Sequence, residues 1–140
     1  MIRYEISPDV ANDALNALFA DAWPNHTPRD FSAVLSQNLG HICAMLDGAL
    51  VGFVNVAWDG DEHAFLLDPT VRSDLQRHGI GTQLVRHAIG LAKSKGAEWL
   101  HVDYEPRLAE FHAKCGFVAT EAGLVNLNEE NTGRDVADDV

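Results

Sequence analysis

Apolar and polar positions alternate along several stretches of the chain, a pattern typical of strands with one buried face. The pattern predicts strands at residues 2–6, 41–46, 49–58, 63–71, 98–104, 117–120 and 122–127. An Asp-Gly pair at 47–48 separates two of these strands and favours a two-residue hairpin. A second turn at 59–62 extends the hairpin to an antiparallel meander of three strands.

Helical periods occupy four further intervals. Ser7 is an N-cap candidate with Pro8 at the first helical position, and residues 27–30 form a second helix start of the capping-box type. The third helix occupies residues 80–95 and the fourth 107–115, and each is followed by a glycine that suits a helix end. Because the third helix connects two strands, the strand after it is expected to run parallel to the third strand of the meander.

Pro69 interrupts the third strand of the meander. Proline lacks a backbone N–H, so it is found at bulges and on edge strands rather than inside a regular ladder. Two interpretations remain open: a bulge that spreads two strands apart, or a strand that is an edge or ends at Asp68.

Composition restricts the class of protein. The 140 residues suffice for one domain, expected at 1–127, and residues 128–140 read as an acidic, disordered tail. The net charge of −11 argues against a nucleic-acid partner. No run predicts a membrane span or a signal peptide, and Cys43 and Cys115 match no zinc spacing. We therefore expect a cytoplasmic protein with reduced thiols and no metal site.

The stretch "QRHGIGTQL" at 76–84 places two glycines where a helix begins. Glycine-rich turns before a helix allow backbone N–H groups to converge on an anion, and the helix dipole adds positive potential. The spacing fits neither a dinucleotide fingerprint, since position 84 is Leu84, nor a P-loop. The glycines predict either an anion site or only the turn itself.

The motif Gln76-x-x-Gly79-x-Gly81, after a meander, resembles that of the GNAT superfamily of acyl-CoA-dependent N-acetyltransferases. "LAEFHAKCGF" at 108–117 resembles a second motif of that superfamily, and the likeness to a small bacterial branch of it covers residues 1–127. The resemblance implies an α/β fold with a mixed, mostly antiparallel sheet of about six to seven strands and helices on both faces. It also implies transfer of acetyl from acetyl-CoA directly to a primary amine in a ternary complex.

The resemblance further implies the residues that bind acetyl-CoA. Backbone amides would hold its pyrophosphate, and these belong to Gln76, Arg77, His78, Gly79, Ile80, Gly81 and Thr82. The pantetheine arm would lie along the third strand of the meander, beside Pro69, Thr70 and Val71. An asparagine that many relatives use for the cofactor is missing here, and Arg107 or backbone could replace it.

Two residues are candidates for acid–base catalysis. Asp103 lies on the strand where some relatives carry a base, and alternation places it on one face with Trp99 and His101. A solvated or capping carboxylate is the alternative. His112 stands where many relatives have the tyrosine that protonates the leaving thiolate; the alternative is a surface histidine, with solvent as the proton source. Other candidates are Tyr104 for the acid and Glu105, Glu62 and His63 for the base.

The acceptor site is less defined by the sequence. Trp23 and His26 lie in the region that relatives use for the acceptor wall, and Glu105 is a further candidate. Trp23 could instead continue the apolar face of the first helix. The preferred function is acetylation of a small-molecule amine; the alternatives are acetylation of a protein or peptide amine, or a non-catalytic CoA-binding module. A homodimer remains open.

Overall fold

The computed structural model describes residues 1–129, so residues 130–140 of the predicted tail lie outside the described residues. The strands are β1 (Arg3–Ile6), β2 (Gly40–Leu46), β3 (Ala49–Trp58), β4 (His63–Val71) and β5 (Trp99–His101). The helices are α1 (Asn12–Ala22), α2 (Ser32–Gln37), α3 (Ile80–Ser94) and α4 (Ala109–Lys114), and short 3-10 turns occupy Ser73–Leu75 and Pro106–Leu108. Within residues 1–129, no helix has the length and apolar character that a membrane span requires.

The five strands form one mixed sheet in the order β1-β2-β3-β4-β5. Strands β1 to β4 pair antiparallel with one another. Strand β5 is parallel to β4, as the crossover through α3 predicts. Asp47 and Gly48 form the predicted hairpin turn with φ of 50° and 81°, which are the left-handed values that such a turn requires.

The predicted count of six to seven strands is wrong for the described residues, because segments 117–120 and 122–127 are irregular. Phe117 packs against the α3-side core, but the other large apolar residues of these segments are exposed by 74–90%, and these are Val118, Leu124, Val125 and Leu127. A strand pattern folds as a strand only when one of its faces covers a buried surface, and beyond Phe117 neither segment buries its large apolar side chains.

Helices cover both faces of the sheet, as predicted. The α3 face is packed with Ile42, Val54, Val56, Leu66, Leu84, Val85 and Ala88, and the α1 face with Leu15, Leu18, Phe19, Phe31, Cys43 and Phe53. Gly52 lets α3 lie close to the sheet, since a Cβ there would be 3.0 Å from the Ala44 Cβ and 3.1 Å from Leu84 Cδ1. Both cysteines are free; burial raises the pKa of Cys43 to about 12.

Two predicted helix starts are wrong by several residues. Ser7 does not cap α1: its N–H donates to the His41 carbonyl at 2.7 Å and its hydroxyl accepts from the His41 N–H at 3.2 Å. The capping box at 27–30 does not form either, because Asp30 accepts hydrogen bonds from the N–H and hydroxyl of Ser32. In both cases another partner takes the side chain that the local pattern assigned to a cap.

Strand β4 contains a bulge at Asp68 and Pro69, which was one of the two interpretations that the sequence left open. Leu67 pairs with Asn55 and Thr70 with Phe53, so Asp68 and Pro69 together lie opposite a single residue of β3. The φ of Asp68 is 55°, a left-handed value that is uncommon for a residue other than glycine.

Candidate active site

Within residues 1–129, the end of β4 has no paired strand on the β5 side. Pairing between β4 and β5 extends only from His63↔Trp99 to Phe65↔His101. The bulge follows this pairing, and the ladder to β3 then continues to Val71. The backbone of 67–71 therefore keeps one edge free, which is the arrangement that binding by strand addition requires.

A tight loop leads from β4 into α3. Arg72 donates to Asp74 at 2.7 Å, and this hydrogen bond lowers the pKa of Asp74. The Gln76 side-chain amide then donates to the Val71 carbonyl at 3.1 Å. Arg77 has a φ of 65°, which directs the backbone sharply toward the helix start.

The first turn of α3 leaves its N–H groups free. Gly79 occupies the N-cap position with a φ of 86°, a conformation that favours glycine. Ile80, Gly81 and Thr82 donate backbone hydrogen bonds to no acceptor within residues 1–129. These N–H groups and the helix dipole can bind a phosphate group.

Gly81 brings α4 against this helix start. A Cβ at Gly81 would lie 3.6 Å from the Phe111 ring and 3.9 Å from Val71. The loop, the end of β4 and the start of α4 thus meet around one glycine, and a larger side chain there has little room.

A pocket of about 420 Å³ lies beside the end of α1. It is lined by Trp23, Pro24, Asn25, His26, Glu105 and Arg107. The structure thus brings together the three candidate acceptor residues Trp23, His26 and Glu105, although they are far apart in sequence. Trp23 belongs to neither core cluster and is 37% exposed, so the interpretation of Trp23 as part of the apolar helix face is wrong.

Two polar side chains of this pocket, those of His26 and Glu105, form hydrogen bonds with other residues. His26 Nε2 and Asn16 Oδ1 are 2.9 Å apart; Asn16 Oδ1 also accepts from the Arg29 N–H, so the histidine donates. Arg107 donates to the Glu105 carboxylate at 2.8 Å in an exposed ion pair. The pocket presents an indole ring, an imidazole and a carboxylate to a bound molecule.

His112 is buried, with 2% of its surface exposed, so the interpretation as a surface histidine is wrong. Its ring stacks on Tyr104 at 4.6 Å and meets the edges of Phe111 and Phe117. Burial lowers the pKa of His112, which favours the neutral imidazole. Within residues 1–129, its buried Nδ1 has no hydrogen-bond partner.

The strand predicted over 98–104 ends at His101, but the predicted alternation continues past its end. Trp99, His101 and Asp103 are exposed, while Leu100 and Val102 pack against the core on the α3 side. His63 Nδ1 lies 2.8 Å from His101 Nε2, a pair that the sequence did not predict. This pair sits at the beginning of β4, ahead of the bulge, and His63 is not among the pocket residues.

The sequence did not predict two contacts that join the end of α1 to β4 and to the loop after β4. The Trp23 indole N–H donates to the Thr70 hydroxyl at 3.0 Å. Asp21 accepts from the N–H and the hydroxyl of Ser73, at 2.7 and 2.9 Å. No local pattern reports such contacts, since the partners are 47 and 52 residues apart.

The chain is an α/β protein in which a free strand edge leads through a glycine loop into a helix start, an arrangement that can bind an extended, anionic ligand. The chain belongs to the acetyltransferase (GNAT) family, whose model matches residues 9–117. The predicted family is therefore confirmed.

Individual relatives agree with this assignment. Mycothiol acetyltransferase from Mycolicibacterium vanbaalenii is 36% identical over 73 residues, which cover 52% of this chain and 24% of that protein. The chain thus spans about a quarter of the length of this curated relative. A GNAT-family acetyltransferase from Streptococcus pneumoniae has a TM-score of 0.76 at 24% identity, covering 91% of this chain and 99% of that one. An aminoglycoside N-acetyltransferase in complex with CoA has a TM-score of 0.72 at 20% identity, covering 90% and 93%.

Replacing Gly81 by valine should weaken CoA binding about tenfold. The branched side chain would press on Phe111 and displace backbone N–H groups, and each hydrogen bond to a charged group contributes about 1.5–3 kcal/mol. Calorimetric titration with CoA measures the effect. Gly90→Val is the matched control, because Gly90 lies in the same helix with nothing within 4 Å of its Cβ position. Equal CoA affinity in the two folded variants would contradict the expectation.

Proposed function

We propose that the chain transfers an acetyl group from acetyl-CoA directly to a primary amine of a small molecule, with both substrates bound together. One observation carries the proposal: Trp23 lines the pocket and also contacts Thr70 in the free-edged end of β4. A donor on that edge and an acceptor in the pocket would therefore be neighbours. Residues 1–127 would form the acetyltransferase domain.

The residues around the loop fit the anionic part of acetyl-CoA. The free N–H groups of 80–82 suit its pyrophosphate, with Arg77 and His78 exposed on the same loop. The edge of Pro69, Thr70 and Val71 that faces away from β3 suits the amides of its pantetheine arm. When bound, acetyl-CoA supplies the activated acetyl group. The backbone near Val71 is the candidate donor to the carbonyl oxygen as charge develops on it.

The pocket supports an amine of modest size as the acceptor. Its volume of about 420 Å³ is that of a small-molecule site. The Trp23 ring that lines the pocket can bind a cation, and the Glu105 carboxylate beside it is shared with Arg107. A related structure is named as an aminoglycoside N-acetyltransferase, and an amine on a small molecule is consistent with that name.

Asp103 and His112 are the proposed catalytic residues. Asp103 is exposed two residues after the end of β5 and would take a proton from the acceptor ammonium, directly or through water. His112 is neutral and would donate a hydrogen bond to the thiolate as it leaves. Cys115 packs against the core on the α3 side, which favours direct transfer over a cysteine-bound intermediate.

Steady-state release of CoA thiol with a panel of amines tests the proposed function. The panel contains small diamines, amino sugars, amino acids and peptides with a free N-terminus, each at equal concentration with acetyl-CoA. A small amine with the highest kcat/KM supports the proposal. A preference for peptides favours the protein or peptide alternative. CoA binding without turnover on any amine favours a non-catalytic CoA-binding module.

A further inference from the structure

The last turn of α1 is attached to β4 and to the loop after it. Trp23 donates to Thr70 at 3.0 Å, and Asp21 accepts from Ser73 at 2.7 and 2.9 Å. Thr70 precedes Val71 and Ser73 follows it, so the two attachments enclose the end of the strand. The end of α1 therefore holds the same backbone that the proposed function assigns to acetyl-CoA.

The attachment at Thr70 extends to the bulge. Thr70 is 2% exposed, and its hydroxyl donates to the Asp68 carbonyl at 2.8 Å while it accepts from Trp23. Asp68 has the left-handed φ of 55°, and a conformation of this kind persists when neighbouring contacts hold it. A chain of two hydrogen bonds thus connects the indole of Trp23 to the strained residue of the bulge.

The same indole lines the pocket. Trp23 is 37% exposed, beside His26 and Glu105, so a molecule in the pocket would contact its ring. We propose that Trp23 is a positioning residue that couples the acceptor pocket to the β4 segment that binds acetyl-CoA; this inference rests on the proposed function. An acceptor that holds the ring in place favours the Thr70 hydrogen bond. By reciprocity, acetyl-CoA on β4 then favours acceptor binding by the same factor.

The test removes the hydrogen bond from either end. Trp23→Phe keeps an aromatic ring beside the pocket but lacks the N–H, and Thr70→Val keeps the shape of threonine but lacks the hydroxyl. We expect each variant to weaken CoA binding about 2- to 10-fold, the range for one net hydrogen bond. The double variant should bind CoA as the weaker single variant does, because both substitutions break one interaction.

Controls separate positioning from folding. Thr70→Ser retains the hydroxyl and should keep CoA affinity within about twofold of the parent, a smaller change than the loss of one hydrogen bond causes. Trp99→Phe changes a tryptophan that is 59% exposed on β5 and should have no effect on CoA binding. Urea unfolding without CoA reports stability separately. Unchanged CoA affinity in both single variants, or losses that multiply in the double variant, would overturn the proposal.

A second measurement uses the best amine of the panel. Thr70 does not line the pocket, yet Thr70→Val should raise the acceptor KM about 2- to 10-fold, as Trp23→Phe does. An acceptor KM that responds to Trp23→Phe alone would overturn the coupling. The CoA titrations need no turnover, so they decide the positioning role even where no amine is acetylated. If no amine is acetylated, the proposed function is wrong, and the CoA titrations alone decide whether Trp23 positions β4.

Discussion

His112→Phe is expected to slow acetyl transfer about 10²-fold in a single turnover, the usual loss when one donor to a developing charge is removed. Phenylalanine can keep the stacking on Tyr104 and the edge contacts with Phe111 and Phe117, but it has no N–H to offer the thiolate. It also removes the unpartnered Nδ1, so the free energy of unfolding should stay level or rise. Rapid-quench measurement at saturating substrates separates transfer from product release.

Tyr104→Phe is the matched control for His112, because it also preserves the stack while removing a single polar group. We expect its single-turnover rate to fall less than about threefold, well below the loss of a catalytic donor. His112→Tyr introduces the residue usual in the family and should retain or raise the rate. Since burial lowers the pKa of His112, the imidazole should show no titration between pH 7 and 9. A larger loss in Tyr104→Phe than in His112→Phe would reassign the donor to Tyr104.

Asp103→Asn is expected to lower kcat/KM for the amine about 10²- to 10⁴-fold at pH 7, the range for a lost general base. The amide has nearly the shape of the carboxylate but cannot accept the proton of the acceptor ammonium. Steady-state kinetics at pH 7 measure the loss, and CoA affinity should stay within about twofold because only transition-state stabilisation is removed.

Glu105→Gln distinguishes the two carboxylates of this region. Glu105 lines the acceptor pocket and pairs with Arg107, so its loss should raise the acceptor KM and leave kcat near the parent value. If Glu105→Gln lowers kcat more than Asp103→Asn does, the base is Glu105. Equal losses of CoA affinity and rate in Asp103→Asn would mark Asp103 as a structural residue.

The features of the fold that the sequence predicted correctly are determined by residues close to one another along the chain. An Asp-Gly pair requires a tight turn, Gly79 suits a left-handed helix start, and alternation along β5 separates Leu100 from His101. Each of these depends on neighbours a few residues away. The resemblance to the family then supplied the roles expected for the loop residues.

The parts that were wrong or missed depend on distant partners. Ser7 is a good N-cap in isolation, but His41 occupies its hydrogen bonds from the neighbouring strand. The burial of His112 depends on Tyr104 and on the aromatic residues around it, which no local pattern reports. The attachment of Trp23 to Thr70 joins residues brought together only by the packing of α1 on the sheet.

The bulge at Asp68 and Pro69 changes which side of the sheet the even-numbered residues of β4 serve. Before it, Ala64 and Leu66 point into the core beneath α3. After it, Thr70 pairs with Phe53 on the α1 side. In an unbroken strand the hydroxyl of position 70 would face the apolar core, and the indole of α1 would have no oxygen to meet. One additional residue thus inverts the parity of the strand, so that even-numbered positions face the α3 side before the bulge and the α1 side after it, where Val71 takes the place on the α3 side.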